Sequence, residues 1–213
     1  MKRTITLLFA LLIAFAASAQ DVLPYSVPAN EAKHSEAVAG RNAIVKSSQT
    51  HMKFMGIPLN GTINAFQQKL AAKGVQPNKA LNEILPVGQR AFKGTFCGYK
   101  SQIYVYYNAK TKTVYRAKAC MTFNDREIIQ NKSNEFRSLL NEKYSYACLP
   151  MGEQDGFDSY CWLLSHDSED VIGEIDLYVS KSNLTYPTEY TLHIDYTDAI
   201  NNDANNASKS EDL

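Results

Sequence analysis

The stretch CGYKSQIYVYYNAKTKTVYRAKACMTF, residues 97–123, decides the fold because its apolar side chains alternate with polar ones. Alternation of this kind is typical of β-strands that bury one face. We therefore predict strands at SQIYVYYN and TVYRAKACMTF, with RAFKGTFC, residues 90–97, as the strand before them. Turns are expected at residues 98–100 and 109–112.

A helical period replaces this alternation on both sides. The segment TINAFQQKLAAKG, residues 62–74, begins with an N-cap threonine, and REIIQNKSNEFRSLLNEKYS, residues 126–145, follows the cap pair Asn124-Asp125. The predicted buried stripes are Ile63, Phe66 and Leu70 in the first helix and Ile129, Phe136, Leu140 and Tyr144 in the second. A short strand, MKFMGIPL, is predicted before the first helix.

Three further strands follow the second helix, at SYCWLLS, DVIGEIDLYVS and EYTLHIDYT. The order of one helix and three strands thus occurs twice, and the pattern N-x-F-x-x-x-L-x-x-K recurs at residues 64–73 and 134–143. Either the unit is duplicated, as repeats 51–123 and 124–200, or helical spacing recurs by chance. The sequence predicts an α+β domain at residues 51–200, with an antiparallel sheet and helices on one face in two layers.

The two ends of the chain differ from this domain in composition and pattern. Residues 1–19 have the basic start, the apolar run and the small-residue cleavage site of a secretory signal peptide. Cleavage would leave no membrane span and would place the protein in the periplasm or outside the cell; an uncleaved anchor is the alternative. Residues 20–50 are interpreted as an N-terminal arm, and residues 201–213 as a disordered tail, because the tail has almost nothing to bury.

The charge balance argues against nucleic-acid binding. The chain has 22 basic and 22 acidic side chains, and loss of the leader with Lys2 and Arg3 would leave a slight excess of acids. A nucleic-acid partner usually requires a basic surface. We also find no cofactor motif, and we predict no cofactor and no metal site.

The four cysteines are Cys97, Cys120, Cys148 and Cys161. An even number in an oxidising compartment predicts two disulfides, with three possible connectivities. We favour Cys97–Cys120 across the sheet and Cys148–Cys161 across a loop. The spacing Cys-x-x-Cys does not occur, so the usual signatures of thioredoxin-like and zinc-knuckle sites are absent.

Three runs, MGIPLNGTINAFQQKLAAKGV, FKGTFCGYKSQIYVYY and LLNEKYS, resemble a group of uncharacterised exported proteins of gut-type Gram-negative anaerobes. The resemblance spans residues 53–198, rests on turns and core positions, and transfers no functional residue. The duplicated helix-on-sheet arrangement is also similar to the β-lactamase-inhibitor-protein fold, whose sheet face binds protein partners. That second likeness concerns architecture alone.

Alternation divides each strand between a core face and an open face. Tyr107 and Tyr115 are predicted to face the core. Side chains predicted for the open face comprise tyrosines, a basic pair and an acidic cluster with one histidine: Tyr104, Tyr106, Arg116, Lys118, Glu174, Asp176, Tyr178, His193 and Asp195. Such a face is either a polar surface in water or a recognition surface that uses tyrosine as a rigid contact.

Three small constellations have both a chemical and a structural interpretation. His193-x-Asp195, near Glu174, is either a metal or acid/base site or part of a solvated strand face. Ser165-His166-Asp167 has the residue types of a catalytic triad, but adjacent residues do not generally converge in that geometry, and a turn is preferred. Trp162 is either a carbohydrate platform or, as we prefer, a core residue.

These patterns lead us to expect an exported, non-enzymatic binding protein. Its open face would contact an unknown protein or glycan in the cell envelope or outside the cell, and no catalytic residue is predicted. The alternatives are a small envelope hydrolase or metal-dependent enzyme centred on His193 and Asp195, and a structural or chaperone-like envelope factor.

Overall fold

The computed structural model describes residues 44–46, 50–144, 148–165, 171–182, 184–185 and 187–210. The predicted signal peptide and nearly all of the predicted N-terminal arm lie outside the described residues. Residues 211–213, at the end of the predicted tail, also lie outside them.

Eleven strands and four helices lie within the described ranges. The strands are β1 (Ile44–Lys46), β2 (Lys53–Phe54), β3 (Ile57–Pro58), β4 (Gln76–Pro77), β5 (Gln89–Phe96), β6 (Tyr99–Tyr107), β7 (Val114–Phe123), β8 (Cys148–Gln154), β9 (Phe157–Ser165), β10 (Val171–Ser182) and β11 (Glu189–Asp198). The helices are α1 (Ile63–Ala71), α2 (Lys79–Asn82), α3 (Arg126–Lys143) and α4 (Ala199–Ser210).

Nine of these strands form one sheet in the order β1-β9-β10-β11-β7-β6-β5-β4, with β8 also paired to β9. Neighbours are antiparallel except for β1 and β9, which are parallel. The last strands of the two predicted repeats, β7 and β11, meet in the middle of the sheet, where Ala119 lies opposite Ile194. The predicted α+β class with an antiparallel sheet is confirmed.

Helices α1 and α3 pack against the core side of the sheet. Their N-caps are the predicted ones, because the side chains of Thr62 and Asp125 accept hydrogen bonds from the first turns. The predicted helical stripes are buried: Ile63, Phe66, Leu70, Ile129, Phe136, Leu140 and Tyr144. Each fully buried side chain of this size contributes about 1.5–3 kcal/mol relative to exposure. Among the described helices, none is long and apolar enough to cross a membrane.

The segment MKFMGIPL is a hairpin of β2 and β3 rather than the single strand predicted. Met55 and Gly56 form its turn, with φ angles of 50° and 76°. Positive φ at both central residues is the requirement of a type I′ turn, which suits the twist of paired strands. Two-residue turns of the same kind join β5 to β6 at Cys97-Gly98 and β8 to β9 at Asp155-Gly156.

Residues 199–210 form α4, so the prediction of a disordered tail from residue 201 is wrong. Polar contacts hold this helix at the end of the sheet. The Asn201 side chain donates a hydrogen bond to the Leu59 carbonyl at 2.7 Å, and the buried Asn205 hydrogen-bonds with Tyr115. Composition alone could not reveal the helix, because hydrogen bonds rather than apolar burial hold it in place.

Tyr115 does not face the core, contrary to the prediction. The β6–β7 register shifts at this point, so that Arg116 lies opposite Tyr106 whereas Val114 lies opposite Tyr107. Val114 takes the buried inward position, and Tyr115 is half-buried beside Arg116 and Tyr106. A bulge therefore interrupts the alternation from which the prediction was made. Tyr107 packs against the core as predicted.

The four cysteines are free thiols, so both predicted disulfides are wrong. Cys97 occupies the exposed turn at the tip of the β5–β6 hairpin, whereas Cys120 is buried on β7, two strands away from β5. Cys148 lies opposite Trp162 and packs against the core, but Cys161 points to the other side of the sheet. Cys97 and Cys120 are therefore too far apart for a disulfide, and Cys148 and Cys161, although on paired strands, have Cβ atoms that point to opposite faces.

Candidate functional site on the open sheet face

The nine residues predicted for the open face lie together on the side of the sheet opposite α1 and α3. Strand register arranges them, with their neighbours, in three rows across β10, β11, β7 and β6. The rows are Glu174, Thr197, Arg116 and Tyr106; Asp176, Asp195, Lys118 and Tyr104; and Tyr178, His193, Cys120 and Gln102. We call the surface made by these twelve residues the open face.

Arg116 and Asp195 form the main ion pair of the open face. The guanidinium donates to both carboxylate oxygens, with Nε to Oδ1 at 2.9 Å and a second, shorter bond from Nη2 to Oδ2. Asp195 is fully buried, and its hydrogen bonds to Arg116 raise the pKa of that guanidinium above its usual range. Arg116 also lies over the ring of Tyr106, at 4.9 Å from its centroid.

Glu174 and Asp176 form an acidic pair beside this ion pair. Burial, followed by the charges of Asp176 and Asp195, raises the pKa of Glu174 to about 7. Burial also raises the pKa of Asp176, to which the Cys161 thiol donates a hydrogen bond. Among the described residues neither carboxylate has an ion-pair partner of its own, because Arg116 is bonded to Asp195. The acidic pair therefore has unsatisfied capacity for a cationic group.

The ligand atoms of Cys161, Glu174 and Asp176 all lie within 4.8 Å of one another, a spacing compatible with a bound divalent cation. Thiolate ligation requires loss of the Cys161 proton. Burial and the two neighbouring carboxylates raise the pKa of Cys161 far above its ordinary value. The carboxylate oxygens of Glu174 and Asp176 can therefore act as metal ligands, whereas the Cys161 sulfur would first have to lose a tightly held proton.

His193 is held by two neighbours rather than by a carboxylate. Its Nδ1 lies 3.3 Å from the Cys120 sulfur and its Nε2 lies 2.7 Å from the Ser180 hydroxyl. The ring stacks on Tyr178 with centroids 4.5 Å apart. Burial and then the charge of Lys118 lower the pKa of His193 to about 4. The imidazole is therefore neutral at physiological pH, and both of its nitrogens are engaged.

Cys120 and His193 do not form an activated pair. Burial raises the pKa of Cys120 to about 11, while the pKa of His193 falls to about 4. A thiolate–imidazolium pair requires the opposite shifts. Ser180 has a histidine beside it, but within the described chain no carboxylate orients that ring, because its other nitrogen faces the Cys120 sulfur and Asp195 is bonded to Arg116. The arrangement lacks the ordered relay of a catalytic triad.

Of two other sequence candidates, Trp162 is placed in the core, and the Ser165-His166-Asp167 segment lies mostly outside the described residues. Trp162 is fully buried and its indole N–H donates to Asn141 at 3.1 Å, so the core interpretation is confirmed. His166 and Asp167 lie outside the described residues, in the connection between the antiparallel strands β9 and β10.

Sequence reasoning did not single out Gln102 and Thr197 of the open face, nor Cys161 and Ser180 beside it. Alternation alone places Ser180 and Gln102 on this side of the sheet. Cys161 is a disulfide candidate by sequence, and the acidic residues beside it are set by the pairing of β9 with β10. Which residues touch across β9, β10 and β11 follows from strand register, and a single sequence does not provide register.

Comparisons with known protein families, curated proteins and solved structures find no match to this chain.

Proposed function

We propose that this chain is an exported binding protein that holds a protein partner against the open face. In this proposal a lysine or arginine of the partner lies on the acidic pair formed by Glu174 and Asp176. Export is inferred from the leader at residues 1–19 and implies a periplasmic or secreted protein.

The observation that carries the proposal is the charge imbalance of the acidic pair. Burial makes ionisation of Glu174 and Asp176 unfavourable in the isolated chain. The neighbouring cation, Arg116, is already hydrogen-bonded to Asp195. A cation supplied by a partner would restore both carboxylates to their charged forms. Charge-assisted hydrogen bonds of this kind are about twice as strong as neutral ones.

The tyrosines of the open face support a protein partner more than a glycan. A glycan platform requires an accessible aromatic ring face. One face of Tyr106 is covered by Arg116, and one face of Tyr178 is covered by His193. Lys118 in turn hydrogen-bonds with Tyr178 and lies 6.0 Å from the centroid of the Tyr104 ring. Each of these rings therefore has a charged or polar neighbour within the open face, and this mixture of polar and aromatic groups suits protein interfaces.

An enzyme centred on His193 and Asp195 has less support from the geometry. Each ring nitrogen of His193 has a protein partner, and Asp195 is buried in its ion pair with Arg116. Either residue would have to break existing hydrogen bonds before it could bind a metal or move a substrate proton.

The test uses residues 20–213 as bait in envelope extracts, with carbodiimide cross-linking to join carboxylates to partner amines. We expect a partner lysine to be mapped to Glu174 or Asp176 by mass spectrometry. The double variant E174Q/D176N should abolish this product. The matched control E153Q/D158N makes the same charge change on the exposed β8–β9 hairpin and should retain it.

Three outcomes would contradict the proposal. The first is equal cross-linking by both double variants, which would place the contact elsewhere. The second is binding to a glycan array that E174Q/D176N abolishes, with no protein product. The third is calorimetric binding of calcium or zinc that the same variant abolishes, which would assign the acidic pair to a metal.

A further inference from the structure

A cavity of about 400 Å³ lies on the core side of the sheet, away from the open face. It is bounded by the tips of the β2–β3 and β5–β6 hairpins and by the C-terminal ends of α1 and α3. Its apolar wall includes Met55, Phe96 and Leu164. Small-molecule pockets in proteins usually have volumes of roughly 300–1,000 Å³, so this cavity is large enough for a ligand.

Three lysines surround the mouth of this cavity: Lys53 on β2, Lys73 after α1 and Lys143 at the end of α3. All three are exposed, and none forms an ion pair with another described residue. No aspartate or glutamate is among the described residues that line the cavity. A largely apolar cavity whose charged lining residues, within the described chain, are all lysines is complementary to an apolar molecule with one anionic end.

The backbone at the cavity supplies an independent observation. Met55 and Cys97 have φ angles of 50° and 48°, in the left-handed region where such side chains are unfavourable. Both residues line the cavity. The third type I′ turn of the described chain does not border the cavity, and there the corresponding residue is Asp155, which suits that conformation. Lys112, between β6 and β7, also has a positive φ, of 62°, and does not line the cavity. Two of the four non-glycine residues with positive φ in the described chain nevertheless line this one cavity, and such strain is found at functional positions.

We propose that this cavity binds a small amphiphile with a single apolar chain and an anionic head group, a carboxylate or a phosphate. The head group lies among Lys53, Lys73 and Lys143, and the chain lies against Met55, Phe96 and Leu164. Binding at this site is separate from the partner binding proposed for the open face.

Cys97 provides the readout, because it is exposed and lines the cavity. The full chain is treated with N-ethylmaleimide, and modification of Cys97 is followed by peptide mass spectrometry. Dodecanoate below its micelle concentration should slow modification about fivefold or more. Dodecanol, with the same chain and no charge, should protect clearly less. Dodecyl phosphate is tested in parallel, and the more protective of the two anions identifies the preferred head group.

Variants of the rim test the role of charge. K73Q/K143Q should weaken dodecanoate protection by about twofold to fivefold for each lysine removed. The control K79Q/K100Q removes two exposed lysines that do not line the cavity and should leave protection unchanged. Absence of protection by both anions, equal protection by dodecanol, or equal loss in the two double variants would overturn the proposal.

The variant Met55→Asn tests whether the residue at this strained turn contributes to ligand binding. Asparagine suits the left-handed region, so the variant should melt at a higher temperature than the parent chain. It also removes an apolar wall residue and should bind dodecanoate several-fold more weakly by calorimetry. Asp155→Asn is the matched control at the third turn and should leave binding unchanged. A more stable Met55→Asn protein with undiminished binding would contradict a ligand role for Met55.

Discussion

Protonation of the Glu174 carboxyl group is linked to folding. Its pKa in the folded chain is about 7, above the ordinary value of 4.5, chiefly because of burial. The folded state therefore holds the proton more tightly than the unfolded state does. The contribution of Glu174 to stability is fully present below pH 4.5 and is lost as the pH rises through about 7.

Replacing Glu174 with glutamine should remove this loss. We expect E174Q to raise the free energy of unfolding near pH 8 by about 2 kcal/mol, and to change it little near pH 4. Urea unfolding at both pH values measures the difference. The exposed Glu153→Gln should stay within about 0.5 kcal/mol of the parent chain at both. Lower stability of E174Q near pH 8 would show that the ionised carboxylate has a favourable partner.

His193 should show a pH dependence of the opposite sign. Burial lowers its pKa to about 4 in the folded chain, below the ordinary 6.5. Its contribution to stability is therefore present above pH 6.5 and is lost as the pH falls toward about 4. NMR titration of the ring protons should give a midpoint near 4 for the folded chain and about 6.5 in concentrated urea. A folded-state midpoint above 6 would mean that the ring is less buried, or has an acidic neighbour.

At the scale of single elements, helix α4 depends on one buried carboxylate. Asp198 ends β11 and accepts hydrogen bonds from the backbone N–H of Met52 at 2.8 Å and of Asn201 at 3.0 Å. His51 Nδ1 lies 3.0 Å from the same carboxylate. The side chain of Asp198 thus caps the first turn of α4 and ties it to the chain before β2.

Asp198→Ala should therefore lower the free energy of unfolding by about 2–4 kcal/mol, because one cap is lost and a buried backbone N–H is left without its acceptor. Chemical denaturation measures this change, and far-ultraviolet circular dichroism reports any loss of helix. Asp203→Ala, on the exposed side of the same helix, is the control and should change stability by no more than about 0.5 kcal/mol. Equal effects of the two substitutions would contradict the assigned role of Asp198.

The same elements show why sequence predicted some structure and missed the rest. Helices α1 and α3 carry apolar stripes of helical period, so their caps and buried faces were predicted correctly. Helix α4 has no such stripe and is held by contacts with residues more than 100 positions away, such as Leu59. The β2–β3 hairpin was read as one strand because a two-residue turn barely interrupts a short apolar run. The period of apolar residues along the sequence shows which face of an element is buried, but it does not show hydrogen bonds between distant segments.

For the molecule as a whole, alternation predicts which side chains share one side of the sheet, but it does not give their pairing or the full burial of Asp195. Arg116 and Asp195 are 79 residues apart and meet because β7 pairs with β11 in one particular register. The expected disulfides failed for the same reason, since sequence spacing does not say which side of a sheet each thiol occupies. Pairing between distant strands is a tertiary property, and it determines which charges of the open face are already neutralised.

The sheet separates the two proposed binding sites, because the open face and the lysine-rimmed cavity lie on its opposite sides. Substitutions without shared contacts usually act additively. We therefore expect E174Q/D176N to leave dodecanoate protection of Cys97 unchanged, and K73Q/K143Q to leave partner cross-linking unchanged. In the variant that combines all four substitutions, the loss of partner cross-linking should equal that of E174Q/D176N. The loss of Cys97 protection should equal that of K73Q/K143Q. If dodecanoate changes partner cross-linking, the two sites are instead energetically coupled through the core. The partner would then change the affinity for dodecanoate by the same factor as dodecanoate changes the affinity for the partner.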